Sequence, residues 1–136
     1  MAAVRDSRGQ ISAAQTVDPS EAGNFVDVQM NPQGEAIMLW GREAGGATEV
    51  LAAEQPLGGR FGAPLLISPS GGPGTLAVDD RGDAIVGFGT SAVVRPPGGS
   101  FSTPVPVPSA SIIPAGNKLT ALLVDPPAVR VSDLVF

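Results

Sequence analysis

The chain has 136 residues, no Cys, no His, and thirteen Asp and Glu against eight Lys and Arg, which gives a net charge of −5. Without Cys or His it has no disulfides, no thiolate chemistry and no imidazole ligands or bases, and its acidic balance argues against a nucleic-acid partner. Its apolar content of 43% falls in short runs between Gly and Pro, a pattern that favours a folded chain over disorder.

No apolar run approaches the roughly 20 residues needed to cross a bilayer, so we expect no membrane span. The first ten residues, MAAVRDSRGQ, lack the apolar stretch of a signal peptide. A mature piece of a secreted protein would have the same appearance.

The N-terminal segment reads as a shortened repeat unit. Residues 1–18 match residues 51–68 at a displacement of 50, with Gly9 aligned to Gly59 and Ile11 to Phe61. The chain is therefore predicted to begin in the middle of a repeat.

Residues 25–68 form the first full unit. Residues 25–30, FVDVQM, alternate apolar and polar side chains, which predicts a half-buried strand with Val26, Val28 and Met30 on one face and Asp27 and Gln29 on the other. Residues 31–34, NPQG, predict a tight turn, because Pro fixes φ and Gly accepts the positive φ that closes it. The next strand is apolar at successive positions, as expected when both faces are buried. The four strands are expected at residues 25–30, 35–41, 49–54 and 61–68, with a loop at 42–48.

Residues 75–108 repeat this unit. Gly82 follows Gly34 by 48 positions, and Phe101 follows Phe61 by 40. The difference of eight residues falls in the loop at 42–48, where a deletion would leave strand pairing unchanged. In residues 103–109, TPVPVPS, alternate Pro residues remove every second backbone donor, which places this strand at a sheet edge.

The C-terminal segment reads as a second partial unit. Residues 111–117, SIIPAGN, contain a Pro and a Gly and are predicted to be a connector. In residues 119–136, Leu122 and Val124 match Leu76 and Val78 of the second unit, although a Pro pair replaces the turn residues that follow.

Two motifs recur in both full units: a turn before E-A-I or D-A-I, and P-x-G-G-x-F-x-x-P. In these motifs the chain resembles the β-propeller blade repeats of secreted or cell-surface proteins from GC-rich bacteria. The resemblance implies an all-β fold of antiparallel four-stranded meander blades, a partial β-propeller of about three blade equivalents. The single domain would span residues 1–136, with a half blade at 1–18, blades at 25–68 and 75–108, and a half blade at 119–136. The chain lacks the Trp-Asp dipeptide that closes a strand in some propeller families, and its double glycines are not followed by the Tyr and Trp of kelch-like blades.

One tripeptide, Arg81-Gly82-Asp83, is the sequence that integrins read in extracellular ligands. The equivalent turn of the first unit is Gln33-Gly34-Glu35. Backbone geometry therefore explains the glycine, and the repeat explains the acid.

A group of oxygen-bearing side chains at related turns suggests a hard cation such as Ca²⁺. However, their spacing lacks the alternating acids and terminal Glu of a calcium loop, and Asp and Asn are ordinary turn formers. We predict no metal site. The side chains are Asn31, Asp79, Asp80, Asp83 and Asp125.

Glycoside hydrolysis needs two opposed carboxylates, and thirteen acids will supply some such pair by chance. The aromatic residues that a sugar site would use look like core residues, because they recur at fixed positions of the repeat. The sequence therefore predicts no catalytic or cofactor-binding residue and leans away from an enzyme. Residues expected to pack between the blades are Trp40, Phe61, Phe88, Phe101, Ile37, Ile85, Val28 and Val78.

The resemblance implies a non-enzymatic interaction or scaffolding module, extracellular or on the cell surface, with an unidentified protein or glycan as partner. The alternatives are a carbohydrate-binding propeller and a subunit of a propeller-type hydrolase or lyase. Because three blades are too few to close a ring of four to eight, we expect either a homodimer that completes six blades or a fragment of a longer propeller.

Overall fold

The computed structural model describes residues 1–3, 5, 8–20 and 25–107 with their side chains, and the backbone of residues 110–115, 118–125 and 128–134. No helix in this described part is long and apolar enough to cross a membrane. The strands are β1 (Val26–Met30), β2 (Ala36–Ala44), β3 (Ala47–Gln55), β4 (Leu65–Ser68), β5 (Gly74–Val78), β6 (Ala84–Phe88), β7 (Ser91–Arg95), β8 (Val105–Pro106), β9 (Ala110–Ala115), β10 (Lys118–Asp125) and β11 (Ala128–Leu134).

The strands form three antiparallel sheets in chain order. The first sheet is β1-β2-β3-β4, the second is β5-β6-β7-β8, and the third is β9-β10-β11. Each strand pairs with its neighbour in sequence, since the connecting turns are too short to cross over a sheet. The predicted all-β fold with two antiparallel four-stranded meanders is confirmed.

The sheets lie face to face in the same order. β5 packs against β1 and β2 of the first sheet, and β9 lies beside β5 and β6. The first strands of consecutive sheets are therefore neighbours. We call the face of a sheet on the side of the sheet before it the preceding face, and the opposite one the following face.

β2 and β3 form a longer hairpin than predicted. Each has nine residues, and they pair as far as Ala44 and Ala47. Only Gly45 and Gly46 turn the chain, with φ of 60° and 83°, as a two-residue hairpin of this hand requires. The predicted loop at residues 42–48 is wrong, because strand pairing continues through it to the tip.

The C-terminal part also departs from one expectation. β9, Ala110–Ala115, occupies most of the predicted connector at residues 111–117. Its two adjacent Ile residues favour a strand, which the count of Pro and Gly overlooked. The edge position predicted from alternating Pro is confirmed, since β8 pairs only with β7 at the end of the second sheet.

The N-terminal segment carries a shortened copy of the β3–β4 pairing. Ala2 and Gln15 form an antiparallel bridge with N–O distances of 2.8 and 2.7 Å. The residues 50 positions later, Ala52 and Leu65, pair in the same way between β3 and β4. Among its described residues, the segment forms isolated bridges rather than a strand.

The described side chains form three apolar clusters. The largest lies between the following face of the first sheet, with Ile37, Leu39, Val50 and Ala52, and the preceding face of the second. A second cluster lies between the N-terminal segment and the preceding face of the first sheet. A third lies on the following face of the second sheet.

The residues predicted to pack between blades separate among these clusters. Ile37, Val78 and Phe88 lie between the first and second sheets, with half-buried Phe101 against them. The others occupy different places. Trp40 and Phe61 are buried under the N-terminal segment, Ile85 belongs to the third cluster, and Val28 is exposed.

The strand predicted at residues 25–30 is confirmed as β1, but the burial expected for Val28 is wrong. Val26, Val28 and Met30 do share one face, but they are 63%, 48% and 53% exposed. The polar residues between them, Asp27 and Gln29, are the half-buried ones. Alternation along a strand shows which residues share a face. Whether that face is buried depends on which other element packs against it.

Trp40 offers a test of the second cluster. Its ring is buried, so Trp40→Ala should lower the free energy of unfolding by roughly 3 to 5 kcal/mol through the cavity it leaves. Trp40→Phe places in this position the residue found at the equivalent Phe88, and should cost clearly less. Urea denaturation followed by circular dichroism measures both. Equal stability of Trp40→Ala and the wild type would contradict the structure.

Candidate functional site

A cleft opens between the first and second sheets at the end where the β1–β2 and β5–β6 turns lie. It encloses about 500 Å³ and is lined by Asn31, Glu35, Gln55, Gly82 and Arg95, among others. We call it the turn cleft. It brings together polar groups from both repeat units.

The two turns at this cleft have the same backbone geometry. Gly34 N donates to Asn31 O at 2.9 Å, and Gly82 N donates to Asp79 O at 3.0 Å. Both glycines have φ near +90°, at 88° and 90°. The glycines predicted from the repeat are therefore required by the turn itself.

Close packing adds a second reason for Gly82. A Cβ at this position would lie 3.1 Å from both Asn31 Nδ2 and Glu35 Oε2. The second turn therefore sits directly against the polar pair of the first turn.

Asn31 and Glu35 make two hydrogen bonds with each other. Asn31 Nδ2 donates to Glu35 Oε2 at 2.9 Å, and Glu35 N donates to Asn31 Oδ1 at 3.0 Å. In the second unit the same positions hold Asp79 and Asp83. Asp79 Oδ1 accepts the equivalent hydrogen bond from Asp83 N at 3.0 Å. However, Asp79 has no side-chain N–H that could donate to the Asp83 carboxylate, as Asn31 donates to Glu35.

The pairing of two acids has an electrostatic consequence. Burial raises the pKa of Asp83 above its ordinary value of 3.8, and the neighbouring Asp79 charge raises the pKa further. Both residues are buried. The second turn therefore holds a carboxylate in surroundings that disfavour its charge.

An ion pair joins the two sheets across the turn cleft. Arg95 of β7 lies with Nε 2.7 Å from Glu54 Oε1 and Nη2 3.0 Å from Glu54 Oε2, a two-point contact with β3. Its Nη1 also donates to Gly82 O at 3.3 Å. The planar guanidinium thus fixes the first sheet against the second turn.

Gln55 lies beside this ion pair. It occupies the repeat position of Arg95, 40 residues earlier, and is only 4% exposed. Its Oε1 is buried and accepts no hydrogen bond from the described part of the chain. Gln55 lines both the turn cleft and a second cleft.

The second cleft, of about 770 Å³, lies between the N-terminal segment and the first sheet. Gln15 bridges it with its side-chain amide: Nε2 donates to Phe61 O at 2.6 Å, and Oε1 accepts from Phe61 N at 3.0 Å. This contact fixes the segment on the β3–β4 connection.

A second contact holds the segment near Trp40. The Trp40 Nε1 donates to Asp18 Oδ2 at 3.0 Å, and Arg42 Nη1 lies 3.6 Å from the same oxygen. A hydrogen bond from the Ser20 hydroxyl, at 2.6 Å, is the main cause that lowers the pKa of Asp18. Asp18 is therefore a fixed anion at neutral pH, and its role is to attach the segment.

The tripeptide Arg81-Gly82-Asp83 is not displayed. Arg81 is exposed, but Gly82 and Asp83 are buried against the first turn. An integrin needs the acid to be accessible, so this site does not fit that role.

The candidate cation ligands are not brought together as a cage. Asp79 is engaged with backbone groups, Asn31 with Glu35, and Asp80 is exposed. The side chain of Asp125 lies outside the described residues. Within the described residues no group of three or more acids could hold a metal ion.

Sequence reasoning missed the Glu54–Arg95 pair and the bridging amide of Gln15. Their signal was present but weak: Arg95 replaces Gln55, and Gln15 replaces Leu65, at repeat positions. A change from an uncharged to a charged or hydrogen-bonding residue between aligned copies marks a contact that one copy makes and the other does not.

The two turns differ in charge, since one holds Asn31 where the other holds Asp79, and this difference predicts an effect on stability. Asp79→Asn keeps the Oδ1 acceptor and removes the charge that helps to raise the pKa of Asp83, so it should stabilise the fold at pH 7 by about 1 kcal/mol. The mirror change, Asn31→Asp, should destabilise it, because Glu35 then faces a like charge.

The sign of the pH dependence follows from linkage. An acid with a raised folded pKa penalises folding above that pKa, and the penalty disappears as pH falls below the ordinary value of 3.8. The gain from Asp79→Asn should therefore fade on acidification. Thermal unfolding between pH 7 and pH 3 measures it, and a gain that persists unchanged at low pH would contradict the repulsion.

No protein-family model, curated protein or solved structure matches this chain. Its function therefore has to be inferred from the contacts of its own residues.

Proposed function

We propose that this chain is a non-enzymatic interaction or scaffolding module, extracellular or on the cell surface, whose three sheets are blades of a β-propeller. The observation that carries the proposal is the equivalence of the repeat units in space. Aligned residues lie on aligned faces, and β1, β5 and β9 are successive neighbours in the stack. Such an arrangement is what blades fanned around an axis would give.

The use of the charged residues supports a structural role. Glu54 and Arg95 bind each other, Asp18 binds Trp40, and Glu35 is bound by Asn31. The first two contacts join distant elements of the fold, and the third holds the β1–β2 turn. A catalytic acid or base would instead direct its reactive atom toward substrate.

A second candidate, carbohydrate binding, is favoured by one observation. Gln55, whose Oε1 is buried and without a partner in the described part of the chain, lines the turn cleft together with Glu35 and Glu54. Fixed acceptors of this kind suit the hydroxyl groups of a sugar. This candidate retains the same fold and changes only the ligand.

The blade arrangement can be tested with spin labels, because the chain has no Cys of its own. Blades fan outward, so labels on the first strands of two sheets should lie closer than labels on their last strands. The pairs are Val26→Cys with Thr75→Cys, and Leu66→Cys with Val105→Cys, all at exposed positions. Two sheets stacked in parallel would instead keep about 10 Å of separation throughout. Equal distances for the two pairs would therefore overturn the propeller.

Ligand binding and catalytic turnover distinguish the interaction module from the carbohydrate-binding candidate and from an enzyme. A glycan array should show no binding, and ester and glycoside substrates should show no turnover that responds to Glu54→Gln or Glu35→Gln. Glycan binding that is lost in Gln55→Leu and retained in Gln29→Leu, a change outside both clefts, would favour the carbohydrate candidate instead. Turnover sensitive to one carboxylate would mean that the chain is an enzyme.

A further inference from the structure

The exposed apolar residues of β1 form a continuous strip on the preceding face of the first sheet. Val26, Val28 and Met30 alternate along the strand, and Val28 pairs across the sheet with half-buried Met38. We call Val26, Val28 and Met30 the β1 stripe. Three side chains at about half exposure or more on one strand mark a surface that lacks its cover.

The internal repeat shows what covers such a stripe. The residues 48 positions later are Leu76 and Val78 of β5, which are only 5% and 9% exposed. They are buried by the following face of the first sheet. The natural cover of the β1 stripe is therefore the following face of another sheet of this type.

Part of that cover is already present. Ala2 and Val17 pack on Trp40, Leu51 and other buried residues of the same preceding face. These contacts lie toward β3 and the β3–β4 connection, whereas the stripe lies on β1. The N-terminal segment thus takes the place of the outer strands of a preceding sheet and leaves the inner position open.

The other end of the stack provides a matching sheet. The order of contacts is first sheet, second sheet, third sheet, so the following face of the third sheet is the opposite end. The sequence of β10 is KLTALLVD, which carries apolar residues on successive positions as β2 does. A strand of this pattern is expected to be apolar on both faces.

We propose that the β1 stripe binds the third sheet of a second copy of this chain. Two such contacts, each between the beginning of one stack and the end of the other, would close two copies into a ring of six sheets. The contact is continuous with the interface of the N-terminal segment, and six sheets fall within the range of closed propellers. This inference depends on the proposed propeller arrangement and names its partner.

Light scattering on the purified chain gives the first test. We expect a mass near 27 kDa, twice the 13.6 kDa chain, at micromolar concentration. The double variant Val28→Glu and Met30→Glu should shift the mass to that of one chain. Val105→Glu, at an equally exposed apolar position on the edge strand β8, should leave the dimer intact. Loss of the dimer in Val105→Glu alone would place the interface at that edge.

Cysteine cross-linking tests the direction of the contact. In the proposed ring the two Val28 positions lie at different junctions, so Val28→Cys alone should not form a disulfide between copies. Mixing it with a chain that carries Cys at Ala121 or Leu122 should give one, since neighbouring strand positions sample both faces. A rapid Val28-to-Val28 disulfide would show a face-to-face dimer and overturn the proposal.

Failure of the dimer and failure of the propeller arrangement give different results. A folded, cooperatively unfolding monomer at micromolar concentration overturns the second copy as occupant and favours further sheets of a longer chain or another apolar partner. The spin-label distances within that monomer still decide whether its sheets are blades. Cross-linking introduces no charge at the interface, so it detects the contact even if the double Glu variant does not fold.

Discussion

Covering both faces of an apolar sheet is the constraint on which this structure depends. β2 carries Ile37 and Leu39 toward the second sheet and Ala36 and Trp40 toward the N-terminal segment. Burying one such large side chain contributes about 1.5 to 3 kcal/mol, so a sheet left bare on one side forfeits much of its stability. A stack of sheets meets this constraint for its inner members and leaves it unmet at its ends.

Polar contacts then set how the sheets are aligned. The Glu54–Arg95 pair is partly exposed, and pairs of that kind contribute less than burial of an apolar side chain. Its value lies in its geometry, since the same guanidinium donates to Glu54 through Nη2 and to Gly82 O through Nη1. Together with the close approach of Gly82 to Asn31, it holds the two turns in register at one end of the stack.

Much of the local structure was predictable from the repeat, and the reasons are physical. A positive φ requires Gly in a turn, so Gly34 and Gly82 identified both turns and with them the strands on either side. Alternate Pro residues identified the edge strand in the same way. These are properties of the backbone at single positions, which a sequence records directly.

The partners in contacts between distant elements were not predictable, although a change of residue type at a repeat position gave a weak signal that a contact exists. Glu54 contacts Arg95 because of the relative position in which the first and second sheets pack. The spacing of residues along the chain does not reveal that relative position. The exposure of Val28 has the same origin: its alternation was correctly recognised, but its cover lies outside the first sheet. The strand β9 was missed for a simpler reason, because Pro and Gly nearby outweighed its Ile pair.

The β2–β3 hairpin has a consequence for how the chain folds. Its nine residue pairs are joined by a turn of two glycines, so all of its contacts are local in sequence. Hairpins of this kind form on the order of 1 to 10 μs, because little chain entropy is lost in closing so short a loop. We expect this hairpin to form first, with β1 and β4 adding to its two sides. The second sheet, whose strands have only five residues or fewer, would then assemble on a face that already exists.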